Sequence, residues 1–476
     1  MKKLIIIFIF LAASLCYAQG GSYIFRGKLD SILSRPVFDS TQIALSVYDL
    51  TDGIRIFERN EKQLMRPASV LKLLTTAAAL HFLKPDYQFT TGIHYTGAIE
   101  DSILTGNIFI EGGFSPDLSS IDLDSISLKI KNAGIRKING NIYADISKGD
   151  SLFWGKGWMW DDDSDRDFPY LNSLPVNKNS VDVIVSPSAE GERPVITLDP
   201  ANDFVKIINR ALCDSADTTI VKVERNWVNR KNEIVITGTA GINGKPDTAH
   251  INIVFPERYF LSLLNSSLKN NGIELSGKAD TLKAPLSAIK IGEVNHSLLN
   301  AVNRANKESD NLNAEMILRA IAYEQLKRKV TAADGIKFID SLITLTGMKK
   351  KNYRIVDGSG LSFYNLVSAE LLIETLKFVR WQPAIYEPFL RSLPVGGVDG
   401  TLKNRFQDFS HLENINAKTG SVSGVSTLAG YITTTHGHTM AFALFIQNFT
   451  GGQKRIRALQ DEICRAIYLI KSDKDE

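Results

Sequence analysis

The chain has 476 residues, 44% of them apolar, and its 55 basic residues nearly balance its 52 acidic residues, so the formal net charge is +3. This balance excludes the broad basic surface that nucleic-acid binding requires, and the apolar content is enough for ordinary packed cores. From the length alone we expect about three domains.

The first eighteen residues, MKKLIIIFIFLAASLCYA, predict a secretory signal peptide over residues 1–18. Two lysines precede an apolar run, and small residues near Ala18 supply a cleavage site. The apolar run is short for a transmembrane helix, and Leu15 in front of Cys16 is a poor match to a lipoprotein signal. We therefore expect an exported protein of the periplasm or cell envelope, whose net charge falls from +3 to +1 when the two lysines are removed.

The next segments predict a strand and a helix, followed by a long β-rich region. Strand-like alternation runs from Ser40 to Arg55 with a turn at Asp52-Gly53, and an apolar helix follows Pro67. From residue 89 to residue 286 the chain consists mostly of short β-rich runs separated by turns. This pattern predicts an insertion of one or two β-rich modules.

Beyond the insertion the pattern becomes helical, and the chain closes with three strands and a last helix. Elements of both types therefore lie on each side of the β-rich region. We interpret them as one α/β domain, residues 22–88 and 287–476, split in sequence by residues 89–286.

The segment RPASVLKLLTT, residues 66–76, places Ser69 three residues before Lys72 at the start of the apolar helix. Residues i and i+3 share a helix face, so these side chains can come within hydrogen-bonding distance. A serine becomes a good nucleophile when a base takes its proton, and a lysine can be that base if burial lowers its pKa. Ser69 is thus a candidate nucleophile, and a helix cap beside a solvated lysine is the alternative.

Two further motifs strengthen the hypothesis that Ser69 is a nucleophile and Lys72 its base. The Ser-x-x-Lys spacing recurs at 266/269 and at 287/290, but neither pair opens a sustained apolar helix. Ser309-Asp310-Asn311 lies at the head of a predicted helix, and Lys418-Thr419-Gly420 lies at the end of a predicted strand. Ser-x-x-Lys, Ser-x-Asn and Lys-Thr-Gly in this chain order are typical of penicillin-binding proteins and their β-lactamase relatives.

The chain resembles the D-alanyl-D-alanine carboxypeptidase/endopeptidase family, the class C low-molecular-mass penicillin-binding proteins of the penicillin-binding protein 4 type. Besides the three motifs, the resemblance includes DGSGLS at 357–362, SLPVGGVDGTLKNRF at 392–406, KTGSVSGVSTLAGYI at 418–432 and the long insertion. The family often has arginine after DGSGLS, where this chain has Phe363. The resemblance implies a serine β-lactamase/penicillin-binding transpeptidase-like α/β domain: an antiparallel sheet with helices on both faces, plus a helical subdomain.

By this resemblance, the catalytic residues are Ser69, Lys72, Ser309, Asn311 and Lys418. Ser69 would attack the carbonyl between two D-amino acids and form an acyl-enzyme, with Lys72 as the general base. Ser309 would relay a proton to the leaving amine, and Lys418 would tune Ser309. The backbone N–H groups of Ser69 and Ser421 would form the oxyanion hole.

The resemblance also assigns substrate contacts. Asn311 would hydrogen-bond the acyl part of the substrate. Thr419 and Ser421 would bind the terminal carboxylate, helped by the charge of Lys418. Gly420 would let a peptide substrate lie along the strand without a side chain in the way.

The implied protein is an exported serine-type D-Ala-D-Ala carboxypeptidase, with D,D-endopeptidase activity, that cleaves peptidoglycan peptides and needs no metal or cofactor. β-Lactam antibiotics would be covalent inhibitors at Ser69, and a homodimer is left open. Two alternatives are a catalytically weak peptidoglycan-binding scaffold and a β-lactamase or esterase of the same fold. The complete motifs disfavour the first, and the long insertion disfavours the second.

Two polar clusters are candidates for other sites. The segment Asp161–Asp167 is rich in aspartate, but a calcium loop would need glycine and glutamate where Arg166 and Asn172 stand. We expect a solvated acidic loop or, by resemblance, a site for the free amine of a diaminopimelate-type side chain. His436 and His438 lie at a predicted hairpin turn without an identifiable third ligand, so we expect a solvated turn there.

The mature chain keeps two cysteines, Cys213 and Cys464. Two cysteines are too few for a disulfide scaffold, although an exported protein could pair them. Two buried single thiols are equally compatible with the sequence.

Overall fold

The computed structural model describes residues 20–406 and 414–470, with side chains from residue 27 onward. The predicted signal peptide, residues 1–18, lies outside the described residues. The helices, in chain order, are α1 (Gly20–Leu33), α2 (Lys72–Phe82), α3 (Ser120–Asn132), α4 (Pro256–Asn270), α5 (Leu298–Asn303), α6 (Asn311–Leu326), α7 (Ala332–Leu345), α8 (Ala369–Arg380), α9 (Pro383–Ser392) and α10 (Gln453–Tyr468).

The strands range from two to nine residues in length. They are β1 (Gln42–Asp49), β2 (Ile54–Arg59), β3 (Gln88–Tyr95), β4 (Ala98–Glu100), β5 (Ile103–Thr105), β6 (Ile108–Glu111), β7 (Lys137–Asn139), β8 (Ile142–Asp145), β9 (Ser180–Ser186), β10 (Val195–Asp199), β11 (Lys206–Asn209), β12 (Leu212–Asp214), β13 (Ile220–Arg225), β14 (Glu233–Gly241), β15 (Asp247–Asn252), β16 (Glu274–Leu275), β17 (Ala279–Thr281), β18 (Ile289–Ser297), β19 (Ile415–Val422), β20 (Val425–Thr433) and β21 (Thr439–Gln447).

The chain forms two compact units. The first unit consists of the described parts of residues 1–85, 302–310 and 336–476, and the second consists of residues 86–301 and 311–335. The domain boundaries predicted from the sequence, at residues 88 and 287, stay a prediction.

The first unit is built on a five-stranded antiparallel sheet in the order β19-β20-β21-β1-β2. Its core joins alternate residues of the strands, such as Leu45 and Phe442, to apolar residues of α1 and α10. The intervening residues, such as Ala44 and Ala443, are also buried, and α8 packs on β1 and β21. Helices therefore cover both faces, which explains why β20 and β21 are buried almost throughout.

Two details of the first unit differ from the sequence expectation. The predicted strand from Ser40 to Arg55 is a hairpin of β1 and β2, with Gly53 in the left-handed conformation at the predicted turn. The apolar helix begins at Lys72 rather than at Ser69, because Ala68–Leu71 forms a 3₁₀ turn. Ser69 therefore lies on a separate turn in front of the helix.

The second unit contains four sheets around one hydrophobic core. The largest sheet has the order β17-β8-β6-β3-β18, and it includes parallel pairs of β6 with β8 and of β8 with β17. Two helices, α3 and α4, lie in the stretch that the sequence predicts as mostly strands. A strand, β18, opens the stretch beyond residue 287 that was expected to be helical, because it pairs with β3.

Both cysteines are free and buried. Cys213 belongs to the core of the second unit and Cys464 to the core of the first. The structure thus agrees with the expectation of two buried single thiols and not with a disulfide between Cys213 and Cys464. Among the described helices, none is both long and apolar enough to cross a membrane.

Candidate active site

Ser69 lies on the 3₁₀ turn Ala68–Leu71, directly before α2. The side chains of Val70 and Leu71 are fully buried and anchor the turn, while Ser69 is half-buried. Ala68 has φ of +46°, in the left-handed region that costs a residue with a Cβ roughly 1 kcal/mol or more. The packed side chains therefore hold Ser69 on a strained backbone turn.

Lys72 is fully buried at the first turn of α2. Its Nζ donates a hydrogen bond to Ser69 Oγ at 2.9 Å and another to the backbone carbonyl of Ser359 at 2.7 Å. The i, i+3 spacing that suggested this pair from sequence thus brings the two side chains together. The amine is held within one hydrogen bond of the candidate nucleophile.

The loop that carries Ser359 is fixed by the buried carboxylate of Asp357. This carboxylate accepts hydrogen bonds from the backbone N–H groups of Gly360 at 2.9 Å and Ser362 at 2.7 Å, and from Asn365 Nδ2 at 2.7 Å. Gly360 has φ of +89°, and a Cβ there would lie 2.0 Å from the carbonyl oxygen of Ala68. The loop therefore fits closely against the Ser69 turn only with glycine at this position.

Lys418 is the second fully buried lysine of the first unit. Its Nζ donates to Ser309 Oγ and to the carbonyl of Thr419, both at 2.8 Å. Burial, and next the nearby charge of Lys72, lower the pKa of Lys418 well below the ordinary value of 10.5. The site therefore contains two buried lysine amines, and a charge on Lys72 makes a charge on Lys418 less favourable.

Gly420 joins the third motif to the first. A Cβ on Gly420 would lie 2.8 Å from the backbone nitrogen of Ser69 and 2.3 Å from Thr427 Oγ1. Thr427 Oγ1 donates at 2.7 Å to the carbonyl of Pro67, just before the Ser69 turn. Strand β19, which forms one edge of the sheet, therefore passes directly beside Ser69.

The predicted substrate-binding residues follow along β19. The hydroxyls of Thr419 and Thr401 are hydrogen-bonded at 2.8 Å. Ser421 is exposed at the end of the strand. Thr401 belongs to the segment 392–406. This segment contributes to the family resemblance, but the resemblance assigns no role to Thr401.

Ser309 and Asn311 are two residues apart in sequence but belong to different compact units. Ser309 belongs to the first unit, in the left-handed conformation at φ of +62°, after the π-helical turn Arg304–Glu308. Asn311 belongs to the second unit, where it opens α6 and is buried. Its Nδ2 donates at 2.7 Å to the backbone carbonyl of Asp167.

The first unit therefore brings together Ser69, Lys72, Ser309, Lys418, Thr419 and Gly420. Sequence reasoning did not identify the carbonyl of Ser359 or the hydroxyl of Thr401. The DGSGLS motif was a usable signal for Ser359, because an Asp-Gly-Ser-Gly run predicts a tight loop. Nothing in the local sequence distinguishes Thr401.

The other two Ser-x-x-Lys pairs have ordinary surroundings. Ser266 Oγ donates to the carbonyl of Ser262 within α4. Lys290 forms an ion pair with Glu293 at an exposed position on β18. These contacts agree with the expectation that neither pair is functional.

The predicted solvated turn at the two histidines is correct for His436 and wrong for His438. His438 is buried, and its Nδ1 donates to Asp49 at 2.8 Å, with Asp52 at 3.7 Å. These three side chains lie close enough together to ligate a metal ion. Asp49 Oδ1 also accepts the backbone N–H groups of Thr51 and Asp52, so hydrogen bonding that braces the β1–β2 turn accounts for the cluster.

The predicted solvated loop at Asp161–Asp167 is also only partly correct. Asp161 and Asp165 are exposed. The carboxylate of Asp163 is 7% exposed and forms an ion pair with the fully buried Arg225. Part of the acidic segment is therefore anchored inside the second unit.

An antiparallel sheet covered by helices, with a Ser-x-x-Lys turn beside a Lys-Thr-Gly strand, defines the fold class of penicillin-binding proteins and β-lactamases. The family model described as the D-Ala-D-Ala carboxypeptidase 3 (S13) family matches residues 25–466. The chain therefore belongs to this family of hydrolases.

Individual relatives agree with this assignment. The chain is 28% identical over 458 residues to a D-alanyl-D-alanine carboxypeptidase of Actinomadura sp. (strain R39), covering 92% of this chain and 83% of that protein. It is 27% identical over 434 residues to D-alanyl-D-alanine carboxypeptidase DacB of Haemophilus influenzae, covering 89% of this chain and 88% of that protein.

A solved structure extends the similarity to three dimensions. The crystal structure of penicillin binding protein 4 (dacB) from Haemophilus influenzae matches with a TM-score of 0.81 at 25% identity, covering 91% of this chain and 100% of that chain. A second crystal structure of the same protein, with a TM-score of 0.75, is a complex with a β-lactam. The resemblance to the penicillin-binding protein 4 type and the predicted fold class are thus confirmed.

Proposed function

We propose that this carboxypeptidase hydrolyses the D-alanyl-D-alanine bond of peptidoglycan stem peptides through an acyl-enzyme on Ser69. The observation that carries the proposal is the contact of 2.9 Å between Lys72 Nζ and Ser69 Oγ at a position where the lysine is fully buried. A solvated surface lysine would not serve as a base, because water stabilises its charged form.

The charge state of the lysine pair follows from their proximity. Lys72 and Lys418 are both desolvated, and they repel one another when both are protonated, so the pair holds one proton more readily than two. We infer that the neutral amine in the reactive state is that of Lys72, because this amine contacts Ser69. The remaining charge on Lys418 then lies beside Ser309 and Thr419.

In the first half of the reaction, Lys72 accepts the proton of Ser69 Oγ while that oxygen attacks the carbonyl carbon of the penultimate D-alanine. The C–N bond of the resulting tetrahedral adduct breaks. The proton passes from Lys72 through Ser309 to the nitrogen of the terminal D-alanine, which leaves as a free amine. The rest of the peptide stays as an ester on Ser69.

In the second half, a water molecule attacks the ester carbonyl and Lys72 accepts its proton. The ester C–O bond breaks, the proton returns to Ser69 Oγ, and the shortened peptide leaves as a carboxylate. The backbone N–H groups of Ser69 and Ser421 would stabilise the oxyanion in both halves, and losing one such donor typically costs about 3 kcal/mol of barrier.

Substrate contacts are proposed along β19 and at Asn311. The terminal carboxylate would bind the hydroxyls of Thr419 and Ser421, with the charge of Lys418 beside them. Asn311 would hydrogen-bond the acyl part. The contact between Thr419 and Thr401 supports this assignment, since it orients the Thr419 hydroxyl.

We extend the proposal to peptidoglycan cross-links. A cross-link is also an amide whose carbonyl belongs to D-alanine, so the same nucleophile and relay serve a D,D-endopeptidase. Export through the N-terminal signal, to the periplasm or cell envelope, is part of this proposal because the substrate lies outside the cytoplasm.

Intact-mass measurement after incubation with penicillin tests the nucleophile and its base. We expect wild type to gain the mass of one penicillin, and Ser69→Ala and Lys72→Ala to gain none. Ser266→Ala is the matched control, since Ser266 also precedes a lysine by three residues, and it should be acylated like wild type. An adduct on Ser69→Ala would exclude Ser69, and normal acylation of Lys72→Ala would remove Lys72 from the mechanism.

Turnover separates the proposed activity from its alternatives. Wild type should release D-alanine from a peptide that ends in D-Ala-D-Ala and should cleave a cross-linked dimer. Acylation without D-alanine release would favour a binding scaffold, and rapid release of hydrolysed penicillin would favour a β-lactamase.

A further inference from the structure

A buried cluster in the second unit links the acidic segment, defined as residues 161–168, to Asn311. At its centre is the guanidinium of Arg225, which is 0% exposed at the end of β13. It forms an ion pair with Asp163 and donates to Asn252 Oδ1 at 3.0 Å and to the Asn252 carbonyl at 3.1 Å. Tyr170 donates its hydroxyl to the other oxygen of Asp163 at 2.7 Å.

The same cluster holds both ends of the acidic segment. Asp163, near its start, is bound by Arg225. Phe168, at its end, has its carbonyl oxygen bound at 2.8 Å by Asn252 Nδ2, while Asn252 Oδ1 accepts from Arg225. Arg225 therefore fixes the segment at two points, directly and through one amide.

Between these two anchors lies the peptide that contacts the Ser-x-Asn motif. Asp165 Oδ1 accepts the backbone N–H of Asp167 at 2.8 Å, which orients that part of the segment. The carbonyl of Asp167 accepts a hydrogen bond from Asn311 Nδ2 at 2.7 Å. Neighbouring carbonyls, of Asp167 and Phe168, thus bind the amides of Asn311 and Asn252.

This contact dictates the orientation of the Asn311 amide. A backbone carbonyl only accepts hydrogen bonds, so it must face the nitrogen end of the side chain and not the oxygen end. Without such a partner an asparagine amide can rotate by half a turn and exchange donor for acceptor. The Asp167 carbonyl therefore holds the nitrogen end of the Asn311 amide and favours this one of its two orientations.

We propose that Arg225 and Asp163 are positioning residues for the acylation step, because they fix the Asp167 carbonyl that orients the Asn311 amide. The inference rests on the proposed function, in which Asn311 binds the acyl part of the substrate. Neither Arg225 nor Asp163 touches the reacting atoms in this proposal. Their effect is to keep the Asn311 amide in one of its two orientations before the substrate binds.

The test is the rate of acylation by benzylpenicillin in the pair variant Asp163→Asn/Arg225→Met. Both charges are removed together, because a single substitution would leave a buried unpaired charge and threaten folding. We expect acylation to slow about ten- to a hundredfold, as for a misplaced binding group. The matched control is Glu224→Gln/Lys222→Met, which removes an exposed ion pair from the same strand and should retain the wild-type rate.

A double-mutant cycle separates positioning from a general structural effect. Asn311→Ala should also slow acylation, and adding the pair variant to it should cause no further slowing, because the oriented amide is already gone. Equal slowing in both backgrounds, or a wild-type rate in the pair variant, would overturn the proposal.

A second variant keeps the inference testable if the pair variant does not fold. Asp165→Ala removes an exposed side chain that orients the Asp167 peptide, and we expect it to slow acylation in the presence of Asn311 but not in Asn311→Ala. A wild-type rate in Asp165→Ala would then count against the proposal. If wild type itself forms no adduct, the proposed function fails instead, so the two failures are distinguishable.

Discussion

Two lysine side chains without solvent exposure dominate the candidate site at the scale of single residues. Each amine contacts a serine hydroxyl and a backbone carbonyl: those of Ser69 and Ser359 for Lys72, and those of Ser309 and Thr419 for Lys418. Carbonyl oxygens offset part of the cost of removing a cation from water. They do not offset the repulsion between the two lysines, which favours a singly protonated pair at the reacting serine.

The pH dependence of stability provides a test of this repulsion. The pKa of Lys418 is lowered below 10.5 in the folded state, so between the two values the unfolded chain holds a proton that the folded protein lacks. Unfolding then takes up a proton, and the unfolding free energy should rise with pH across this window, by up to about 1.4 kcal/mol per pH unit.

Lys418→Met should remove the rise in unfolding free energy with pH that comes from Lys418. We therefore expect the difference in unfolding free energy between wild type and Lys418→Met to grow in favour of wild type as pH rises toward 10.5, measured by urea unfolding. Lys403→Met, at an exposed position of the same unit, is the control and should follow wild type. A difference that stays constant with pH would contradict the lowered pKa of Lys418.

At the scale of elements, the candidate site is assembled from strained turns next to regular structure. Ala68, before α2, and Ser309, before α6, both have left-handed backbone conformations. Such conformations persist in residues with a Cβ only when the surrounding packing determines them. Both turns present a serine hydroxyl to a buried lysine, so the strain coincides with the groups that react in the proposed mechanism.

A pair of substitutions at Ser309 separates backbone strain from the loss of the hydroxyl. Ser309→Gly and Ser309→Ala both lack the hydroxyl and should slow acylation alike. Because glycine adopts φ of +62° without a Cβ clash, Ser309→Gly should be more stable than Ser309→Ala by about 1 kcal/mol in urea unfolding.

At a serine inside a helix, the order of stability of the glycine and alanine variants should reverse. Ser341 is exposed in the interior of α7, where glycine is about 1 kcal/mol less favourable than alanine. Ser341→Gly should therefore be the less stable member of its pair. If Ser309→Ala equals or exceeds Ser309→Gly in stability, the left-handed turn is not strained.

Contacts within one turn of the chain could be predicted from helical spacing, whereas the long-range contact of Lys418 with Ser309 was expected only from the family resemblance. The pair Ser69 and Lys72 follows from helical spacing, and the three motifs in their chain order indicate the fold class. The 3₁₀ turn at Ser69 is set by packing against the Gly360 loop and β19, which are distant in sequence. The contact of Thr401 with Thr419 likewise depends on a tertiary fold that no local pattern encodes.

In the acidic segment, the local charge pattern likewise does not predict which aspartate is buried. A run of aspartates predicts a solvated loop, and this is correct for Asp161. Asp163 departs from the pattern because its partner, Arg225, lies 62 residues further along the chain. Burial of a carboxylate depends on such a partner, which the local composition does not reveal.

At the scale of the whole molecule, each compact unit has its own hydrophobic core, and each core contains one cysteine. Cys464 packs among apolar residues of α10 and the five-stranded sheet, and Cys213 lies in the core of the second unit. Burial raises the pKa of the Cys464 thiol, since it disfavours the thiolate. These cysteines therefore behave as small apolar core residues rather than as cross-links.

Thiol titration of the mature protein, without residues 1–18, tests this arrangement. In the native state neither Cys213 nor Cys464 should react with a thiol reagent, because both are buried. In denaturant without reductant both should react, and Cys213→Ala should leave one reactive thiol. Since no disulfide constrains the unfolded chain, the unfolding temperature should not change on addition of reductant. Two thiols that appear only after reduction would show instead that Cys213 and Cys464 pair in the exported protein.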